Sequence, residues 1–419
     1  MSENSNYKKI LYISYDGMTD PLGQSQVINY LIGLSKYGYN FYILSFEKKE
    51  KWISTGKEIQ TLLDNNGIKW YPTLFHTSPP ILSKIYDKNL LLKKAKELHN
   101  EHNFDMIHCR SYTAAEAGLS LKRITGVKFL FDMRGFWADE KADGKSWDRE
   151  KWFWNKVYNY YKRKEADFIK EADHIISLTF AGKEEILSWK FYDHKVPISV
   201  IPCCADQAHF KETTFLNKKK ARIKLGIEDG TLVLSYLGSL GAWYMIDEML
   251  HFFKVLQCEH PTSKFLIITN SGHDIVLTKL SSLQLDSKDF IIKTVPFSAV
   301  PDYMYASDIS ISFIKPVYSK LSSSPVKIGE ILSMGIPIIS NTIGDIGKLL
   351  STEKVGILVK GFSDQSFADA VGLVNLSLSI TPESIRNVAI KYYNLNEGVQ
   401  KYAAVYKEIF QEKTTLTVS

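Results

Sequence analysis

Short runs of apolar residues recur along this chain of 419 residues, and stretches with helical periodicity separate them. The runs KILYIS at 9–14, KFLFD at 128–132 and LVLSYL at 232–237 are typical. A strand that is apolar throughout is buried on both faces, which is the situation of a parallel sheet covered by helices. Regular alternation of such strands with helices therefore predicts an α/β fold.

The alternation occurs twice. In the first half, strands are expected at 9–14, 41–46, 69–71, 105–109, 128–132, 174–178 and 198–202. In the second half, they are expected at 232–237, 265–269, 290–294, 308–314, 335–340 and 355–359. The main helices are expected near 24–37, 54–66, 88–102, 112–124, 148–171 and 383–412.

The pattern weakens between 203 and 230, where the sequence is polar and rich in lysine. A chain of 419 residues also exceeds what one hydrophobic core usually organises. We therefore expect two doubly wound domains, at 1–205 and 206–395, with 396–419 forming a helix that packs back on the first domain. Ligands of open α/β sheets bind beyond the carboxyl ends of the strands, so facing domains would form a cleft there.

Composition excludes several classes of protein. The mean hydropathy of −0.15 and the lack of a 20-residue apolar segment exclude a polytopic membrane protein. The four cysteines show no metal-binding spacing, and the polar N-terminus lacks a signal-peptide core, so we expect a cytoplasmic protein. The net charge of +6 is low for a nucleic-acid-binding protein. The basic runs 162–164 and 218–220 are either solvated helix surface or points of contact with anionic lipid at the inner face of the cell membrane.

The most informative segment is SSSPVKIGE at 322–330. Ser324 followed by Pro325 predicts a helix start, and Ser323 and Ser324 would offer free amides to an anion there. Lys327 in the first turn opposes the helix dipole unless an anion is bound, and Glu330 lies on the same face, where it could accept hydrogen bonds from ribose hydroxyls. The alternative is an ordinary capped helix with a solvated Lys–Glu pair.

A second glycine-bearing loop follows the strand at 232–237. Gly238, Ser239 and Gly241 would let a ligand approach the backbone, and Trp243-Tyr244 could pack on a base or a sugar. A short glycine loop after a strand is more often a tight turn. Its location in the same domain as Lys327 favours the ligand interpretation.

Polar residues also follow strands of the first domain. The loop after the first strand carries Asp16, Gly23 and Gln24, and Arg110 follows the fourth strand. These residues are candidates for binding an acceptor.

The loop after the fifth strand is unusually rich in charge. It carries Arg134, Asp139 and Glu140, which could orient an acceptor hydroxyl or act as a general base. The alternative is a structural network of ion pairs that holds a long loop in place.

Together these loops resemble those of the family-4 retaining glycosyltransferases, of the type that builds bacterial surface polysaccharides. The resemblance covers nearly the whole chain. It rests on DPLGQSQV (20–27), RSYTA (110–114), FDMRGFWADE (131–140), GSLGAWY (238–244), SSPVKIGEILSMGIPIISN (323–341) and GDIG (344–347). It implies the GT-B fold of two facing Rossmann-like domains, with the nucleotide-sugar donor held mainly by the second and the acceptor mainly by the first.

The resemblance also implies roles for particular residues. Gly238 and Gly241 would lie along the donor phosphates, and Glu330 would contact the ribose. The family's first motif glutamate is Ser322 here, and Ser239 replaces the usual arginine of the phosphate clamp. Lys327, with Lys315 or Lys320, would then supply the positive charge. Arg134 stands where a histidine is often found.

By resemblance, the expected activity is retaining transfer of a hexose-type sugar from a UDP- or GDP-linked donor to a glycan or lipid-linked glycan, without a resident cofactor or metal. Lys327 and the Ser323–Ser324 amides would stabilise the leaving diphosphate, while Arg134, Asp139 and Asp16 would shape the acceptor side. Two alternatives stay open. One is a non-catalytic nucleotide-sugar or glycan-binding protein of an assembly complex, and the other is a GT-B sugar-nucleotide epimerase.

Overall fold

A computed structural model describes residues 7–241, 243–270 and 272–411. These form two compact units: the first comprises 7–202 together with 396–411, and the second comprises 203–395. The sequence pattern placed the division after residue 205, close to the division after Pro202. Within the described ranges, no helix is both long and apolar enough to cross a membrane.

Each unit is built on a parallel sheet. The first has seven strands in the order β3-β2-β1-β4-β5-β6-β7: β1 Lys8–Ser14, β2 Tyr39–Glu47, β3 Lys69–Leu74, β4 Met106–Arg110, β5 Lys128–Asp132, β6 His174–Ser177 and β7 Ile198–Val200. The second has six in the order β10-β9-β8-β11-β12-β13: β8 Val233–Leu237, β9 Lys264–Ile268, β10 Phe290–Lys293, β11 Ile309–Ser312, β12 Ile338–Asn341 and β13 Gly356–Val359. Every expected strand is therefore confirmed.

Helices lie between the strands and after the last strand. Those of the first unit are α1 Pro21–Gly23, α2 Asn29–Ser35, α3 Lys49–Asn65, α4 Pro80–His102, α5 Ser111–Thr125, α6 Trp137–Asp143, α7 Trp152–Glu171 and α8 Phe180–Ser188. Those that follow are α9 Phe215–Leu225, α10 Ile246–Glu259, α11 His273–Ser282, α12 Val300–Met304, α13 Val326–Ser333, α14 Ile346–Glu353, α15 Asp364–Val371, α16 Val374–Leu378, α17 Pro382–Tyr393 and α18 Leu395–Phe410. A π-helix at Gln24–Ile28 separates α1 from α2, and short 3₁₀ segments lie at Ser287–Asp289, Phe297–Ala299 and Tyr318–Ser322.

In each sheet there is a point at which the order of strand addition reverses, so that the next strand joins the opposite side of the first strand. In the first unit the chain proceeds from β1 outward to β3 and then returns to β4 on the other side of β1. In the second unit the same reversal lies between β8 and β11. Ligands of doubly wound sheets bind beyond the carboxyl ends of the strands at such a reversal. The residues after β1 and β4, and those after β8 and β11, therefore occupy the two positions where ligands are expected.

The core explains why the strands are apolar throughout. Ile10, Leu11 and Ile13 of β1 are fully buried, as are Val233 and Leu234 of β8, because helices cover both faces of each sheet. At the bookkeeping value of about 25 cal/mol per Å² of apolar surface removed from water, these central strands supply much of the driving force for folding.

Two helices differ from the expectation. Helix α4 begins at Pro80, not near residue 88, because a proline suits the first turn of a helix. Its first two turns carry the exposed side chains of Ile81, Leu82 and Ile85, so they lack the buried apolar stripe by which amphipathic helices are recognised. The charged loop after β5 forms the short helix α6, whose first turn contains Asp139 and Glu140, as the helix dipole favours.

Candidate active site

The loop after β8 places Gly238 directly against Lys327. Gly238 has φ +134°, in the region that favours glycine. A Cβ atom at this position would lie 2.4 Å from Lys327 Nζ. The loop is closed by the Tyr236 hydroxyl, which donates a hydrogen bond of 2.7 Å to the carbonyl of Ser239. Gly241, further along the loop, is exposed. The glycine at 238 is therefore required for the lysine to reach this loop.

Lys327 is buried in the first turn of α13. Its Nζ donates to the Tyr236 hydroxyl at 3.2 Å and lies 4.4 Å and 3.7 Å from the ring centroids of Tyr236 and Tyr244. Burial lowers the pKa of Lys327, and the neighbouring Glu330 opposes that effect. Aromatic faces stabilise an ammonium ion but do not neutralise it. With its pKa lowered to about 7, Lys327 lies in an environment where a bound anion would favour the charged form of the side chain.

Glu330 lies three residues further along α13 and is also buried. Burial raises the pKa of its carboxyl group, while Lys327 acts to lower it. Among the described residues, no group donates a hydrogen bond to its side chain. A buried carboxylate without donors can accept hydrogen bonds from hydroxyl groups of a ligand. The sequence predicted that Lys327 and Glu330 lie on one face of a helix, and both are buried in α13, where each affects the pKa of the other.

The predicted helix start at Ser324 is wrong. Helix α13 begins at Val326, with Pro325 in the N-cap position, and no side chain caps it. Ser324 Oγ instead accepts a hydrogen bond of 3.1 Å from the N–H of Cys203. The Ser323 N–H donates to the carbonyl of Lys320 at 3.2 Å, so it is not a free amide. Ser324 was the predicted cap, but a residue distant in sequence engages its hydroxyl.

The rings of Trp243 and Tyr244 contact two lysines of the second unit, Lys320 and Lys327. Lys320 is buried in the 3₁₀ segment after β11, with its Nζ 3.9 Å from the centroid of Trp243. Lys315 is exposed. Of the lysines proposed to supply charge, Lys320 and Lys327 are therefore each held against an aromatic ring. The sequence-based analysis missed this role for Trp243 and Tyr244, although aromatics beside lysines are the usual signal of such contacts.

In the first unit, the residues at the chain reversal form a charged cluster, in which Arg110 and Asp132 are buried and Asp16 is exposed. Arg110 Nε lies 3.6 Å from Asp16 Oδ2, and Arg134 Nη1 lies 3.8 Å from Asp132 Oδ2. The Tyr402 hydroxyl of α18 donates to Asp132 Oδ2 at 3.0 Å. Two of the predicted acceptor-side residues, Asp16 and Arg110, thus form an ion pair with each other. A third, Arg134, pairs with Asp132.

Sequence reasoning missed His108, and it missed that Asp132, where β5 ends and the charged loop begins, would lie beside it. Burial acts to raise the pKa of Asp132, but Arg134, His108 and Arg110 outweigh it, so that the pKa is lowered. Burial lowers the pKa of His108, whose Nδ1 is hydrogen-bonded to the Tyr406 hydroxyl at 2.7 Å. The signal was present, because both are ionisable residues inside otherwise apolar strands.

Glu47, at the end of β2, organises the loop that follows β1. Its buried carboxylate accepts hydrogen bonds from the N–H groups of Met18 and Thr19 at 2.8 and 3.0 Å, and from the hydroxyls of Thr19 and Ser45 at 2.6 Å each. Gly23 packs on the same loop, since a Cβ there would lie 2.1 Å from the carbonyl oxygen of Gly17.

Gln24 completes the loop, since its Nε2 donates to the carbonyl of Thr19 at 3.2 Å. Gly23 and Gln24 therefore shape the loop after β1 from within.

Replacing Glu47 with glutamine is expected to lower the free energy of unfolding by about 1–3 kcal/mol, because an amide NH₂ would face donors. Denaturant unfolding of the variant measures this loss. Asp20→Asn is the matched control: it weakens the ion pair with Lys48, whose side chain is 57% exposed, and should cost less than about 1 kcal/mol. Equal losses in both variants would contradict the role of Glu47.

Asp139 belongs to a different network. Its carboxylate accepts hydrogen bonds from the Tyr158 hydroxyl at 2.7 Å and from Lys162 Nζ at 2.9 Å. Lys162 also pairs with buried Glu165, and burial raises the pKa of that carboxyl to about 7 despite the opposing charge of Lys162. This is the structural ion-pair network that the sequence left as the alternative. Glu140 lies beside Asp139 in α6, partly exposed.

Two family models match the chain. A Glycosyltransferase Family 4 model matches residues 25–209, and a Glycosyl transferases group 1 model matches residues 231–374. No curated protein sequence matches the chain.

Solved structures share the fold at low sequence identity. Sucrose-phosphate synthase from Thermosynechococcus elongatus has a TM-score of 0.74 at 13% identity, over 96% of this chain and 99% of its own. A glycosyltransferase from Rickettsia africae has a TM-score of 0.69 at 18% identity, over 97% and 100%. Anabaena HepE in complex with UDP-glucose has a TM-score of 0.69 at 16% identity, over 96% and 100%. The two parallel sheets and the two family matches show that the chain belongs to the GT-B glycosyltransferases that combine a family-4 domain with a group-1 domain.

Proposed function

We propose that the protein transfers a hexose-type sugar from a UDP- or GDP-linked donor to a glycan or lipid-linked glycan, with retention of anomeric configuration. The observation that carries the proposal is the buried Lys327–Glu330 pair beside Gly238. An ammonium ion held on aromatic rings suits a diphosphate, and a carboxylate without donors suits a pair of ribose hydroxyls. Anabaena HepE, which has the same fold, was solved with UDP-glucose, and this favours UDP as the nucleotide.

In the proposed reaction, the bond between the sugar C1 and the diphosphate oxygen breaks as the acceptor oxygen bonds to C1 on the same face. The acceptor proton passes to the departing phosphate oxygen, so no protein nucleophile is required. Lys327 stabilises the charge that develops on the diphosphate, and Glu330 holds the ribose. On the acceptor side, Asp16, Arg110 and Arg134 provide the polar surface.

Other first-unit residues support that surface in the proposal. Gly23 and Gln24 shape the loop that carries Asp16, and the Asp139 network, with Glu140 beside it, holds the segment after Arg134. In the second unit, the backbone of Gly238, Ser239 and Gly241, with Ser323 and Ser324 nearby, is proposed to line the donor.

A thermal-shift screen against UDP, GDP, CDP and their sugars tests the donor assignment. Ligand binding to the native state adds about 2.7 kcal/mol of apparent stability at a concentration 100 times the dissociation constant. We expect UDP or GDP, with its sugars, to raise the melting temperature above the other nucleotides. Equal shifts for every nucleotide, or none, would contradict the proposal, and release of free nucleotide from the sugar donor would exclude a purely binding function.

We also propose peripheral contact with anionic membrane, through a surface other than the one the lysine runs suggested. Lys162 pairs with Asp139 and Glu165, and Lys218 pairs with Asp308. Several exposed apolar residues of the first unit instead lie at the starts of α4 and α7. We call these the apolar patch: Ile81, Leu82, Ile85, Trp152 and Phe153, with Leu82 64% and Trp152 70% exposed.

Side chains of α4 and α7 meet beyond these two helix starts. Lys88 Nζ donates to the Tyr160 hydroxyl at 2.9 Å, and each residue stands eight positions after the start of its helix. Lys156 lies over the Trp152 ring at 3.9 Å. An aromatic and aliphatic surface edged by lysines is typical of proteins that rest on anionic bilayers.

Flotation with phosphatidylglycerol vesicles at low salt tests this surface. We expect the Leu82→Ser, Trp152→Ser double variant to lose most of its binding, because each substitution removes apolar area from the bilayer contact. The matched control is Phe215→Ser with Leu216→Ser in the second unit, where the side chains are 79% and 69% exposed. Retained flotation of the first variant, or loss in the control alone, would overturn the assignment.

A further inference from the structure

A histidine–aspartate pair lies at the acceptor edge of the first unit. His76 follows β3 by two residues, and its Nδ1 lies 2.5 Å from Asp87 Oδ1. The other carboxylate oxygen of Asp87 accepts hydrogen bonds from the His76 N–H at 3.1 Å and from the Tyr15 hydroxyl at 3.2 Å. The Asp87 side chain is completely buried, whereas that of His76 is 47% exposed.

The hydrogen bonds determine which ring nitrogen carries the proton. An ionised carboxylate only accepts hydrogen bonds, so Nδ1 of His76 must carry the proton and donate a hydrogen bond to Asp87. In the neutral ring, Nε2 is then an acceptor, and within the described parts of the chain it has no hydrogen-bond partner. The burial of Tyr15 and the charge of Asp87 both raise the pKa of the Tyr15 hydroxyl, which keeps it a donor. The pair therefore presents an oriented acceptor at the surface.

The location connects this pair to the proposed acceptor residues. All strands of the sheet are parallel, so the carboxyl ends of β3 and β1 lie at one edge. Tyr15, which shares Asp87 with His76, directly precedes Asp16 in the loop after β1. A continuous set of contacts thus runs from His76 through Asp87 and Tyr15 to the Asp16–Arg110 pair.

An exposed aromatic ring stands beside the imidazole. The Tyr86 ring meets His76 edge to face, with centroids 4.8 Å apart, and Tyr86 is 55% exposed. A flat apolar face next to an oriented hydrogen-bond acceptor is complementary to a sugar ring, which offers C–H groups on one face and hydroxyls at its rim.

A purely structural role explains only part of this arrangement. The backbone N–H of His76 already ties the loop after β3 to α4 through Asp87, and the Tyr15 hydroxyl ties the loop after β1 to the same carboxylate. The half-exposed imidazole adds little buried area, yet a fully buried carboxylate and a tyrosine ring both restrain it. Restraint of an exposed polar group is the arrangement expected of a binding site.

We propose that His76 accepts a hydrogen bond from a hydroxyl of a sugar residue that stacks on Tyr86, and that Asp87 positions the imidazole for this contact. The assignment of that sugar to the acceptor rests on the proposed function. The proposal itself requires only that a sugar bind at this edge of the first unit.

The test follows the histidine nitrogens of the full-length protein by two-dimensional NMR, during titration with methyl α-D-glucopyranoside and methyl α-D-galactopyranoside. We expect the His76 Nε2 resonance to move with at least one of the two sugars and not with glycerol at equal concentration. His76→Gln identifies the resonance by removing it. The matched internal control is His194, which is also exposed, also lies edge to face on a tyrosine, Tyr192, and makes no ion pair in the described ranges.

Tyr86→Ala should weaken sugar binding about tenfold if the ring stacks on the sugar, as measured by the sugar concentration needed to shift the His76 resonance. The hydrogen bond from Nδ1 to Asp87 should remain. Absence of a shift with either sugar, or equal movement of His76 and His194, would overturn the proposal. Because sugar binding is observed without turnover, this result is independent of the donor screen. A protein that binds sugar at His76 but no nucleotide would contradict the proposed function and leave this site standing.

Discussion

Replacing Lys327 with alanine is expected to lower turnover by about 100-fold or more, because removal of one preorganised charge-stabilising group typically costs that much. The loss should exceed the loss of donor affinity. The charge on the diphosphate grows as the sugar bond breaks, so a cation beside it stabilises the transition state more than the bound donor. Aromatic rings around Nζ keep the cation in place without neutralising it.

The rate of sugar transfer and the dissociation constant of the nucleotide diphosphate, measured on the same variant, separate the two effects. Lys315→Ala is the matched control, since Lys315 lies in the segment after β11 but is exposed. It should retain nearly full activity. An unchanged turnover in Lys327→Ala would remove the lysine from the chemical step, and a loss of donor affinity alone would reduce it to a donor-binding residue.

The second large effect is expected from Gly238→Ala. The residue has φ +134°, so alanine would strain the backbone at a cost of about 1–3 kcal/mol. The new Cβ would also lie 2.4 Å from Lys327 Nζ and 2.9 Å from its Cε, so the lysine side chain must move away from the loop. We therefore expect lower stability together with a loss of transfer activity of about tenfold or more, as the displaced charge no longer meets the diphosphate.

Gly241→Ala provides the comparison in the same loop. No atom lies within 4 Å of a Cβ built at Gly241, so the free energy of unfolding should change by less than about 0.5 kcal/mol. Thermal unfolding and transfer assays of both variants check the difference. If Gly238→Ala were as stable and as active as the unmodified protein, the contact with Lys327 would have no functional importance.

Much of the architecture could be predicted from the sequence, because its signals are local. Each strand is a short apolar run, and the helices between them show the 3.6-residue period, so the order of elements follows from neighbouring residues alone. The start of α4 was missed for the same reason. Its first turns expose Leu82 and Ile85, and a pattern search detects only helices that bury one face.

The candidate site was predictable in its location and less so in its contacts. Loops after parallel strands must meet at one edge of a sheet, so Gly238 and Lys327 could be assigned to the same region. The helix cap at Ser324 could not be judged locally, because the hydroxyl is engaged by Cys203, 121 positions away in sequence. A local preference of about 1 kcal/mol is easily outweighed by such a partner.

The sequence by itself determined the two α/β units, the loops that carry polar residues and the family resemblance, since these depend on short-range patterns. Only the tertiary structure decided which of those residues share an environment. Lys327 meets Tyr236 across 91 positions and Asp132 meets Tyr402 across 270, and neither spacing carries a periodic signal. Buried polar groups must find partners wherever packing brings them, and packing is a property of the whole folded chain.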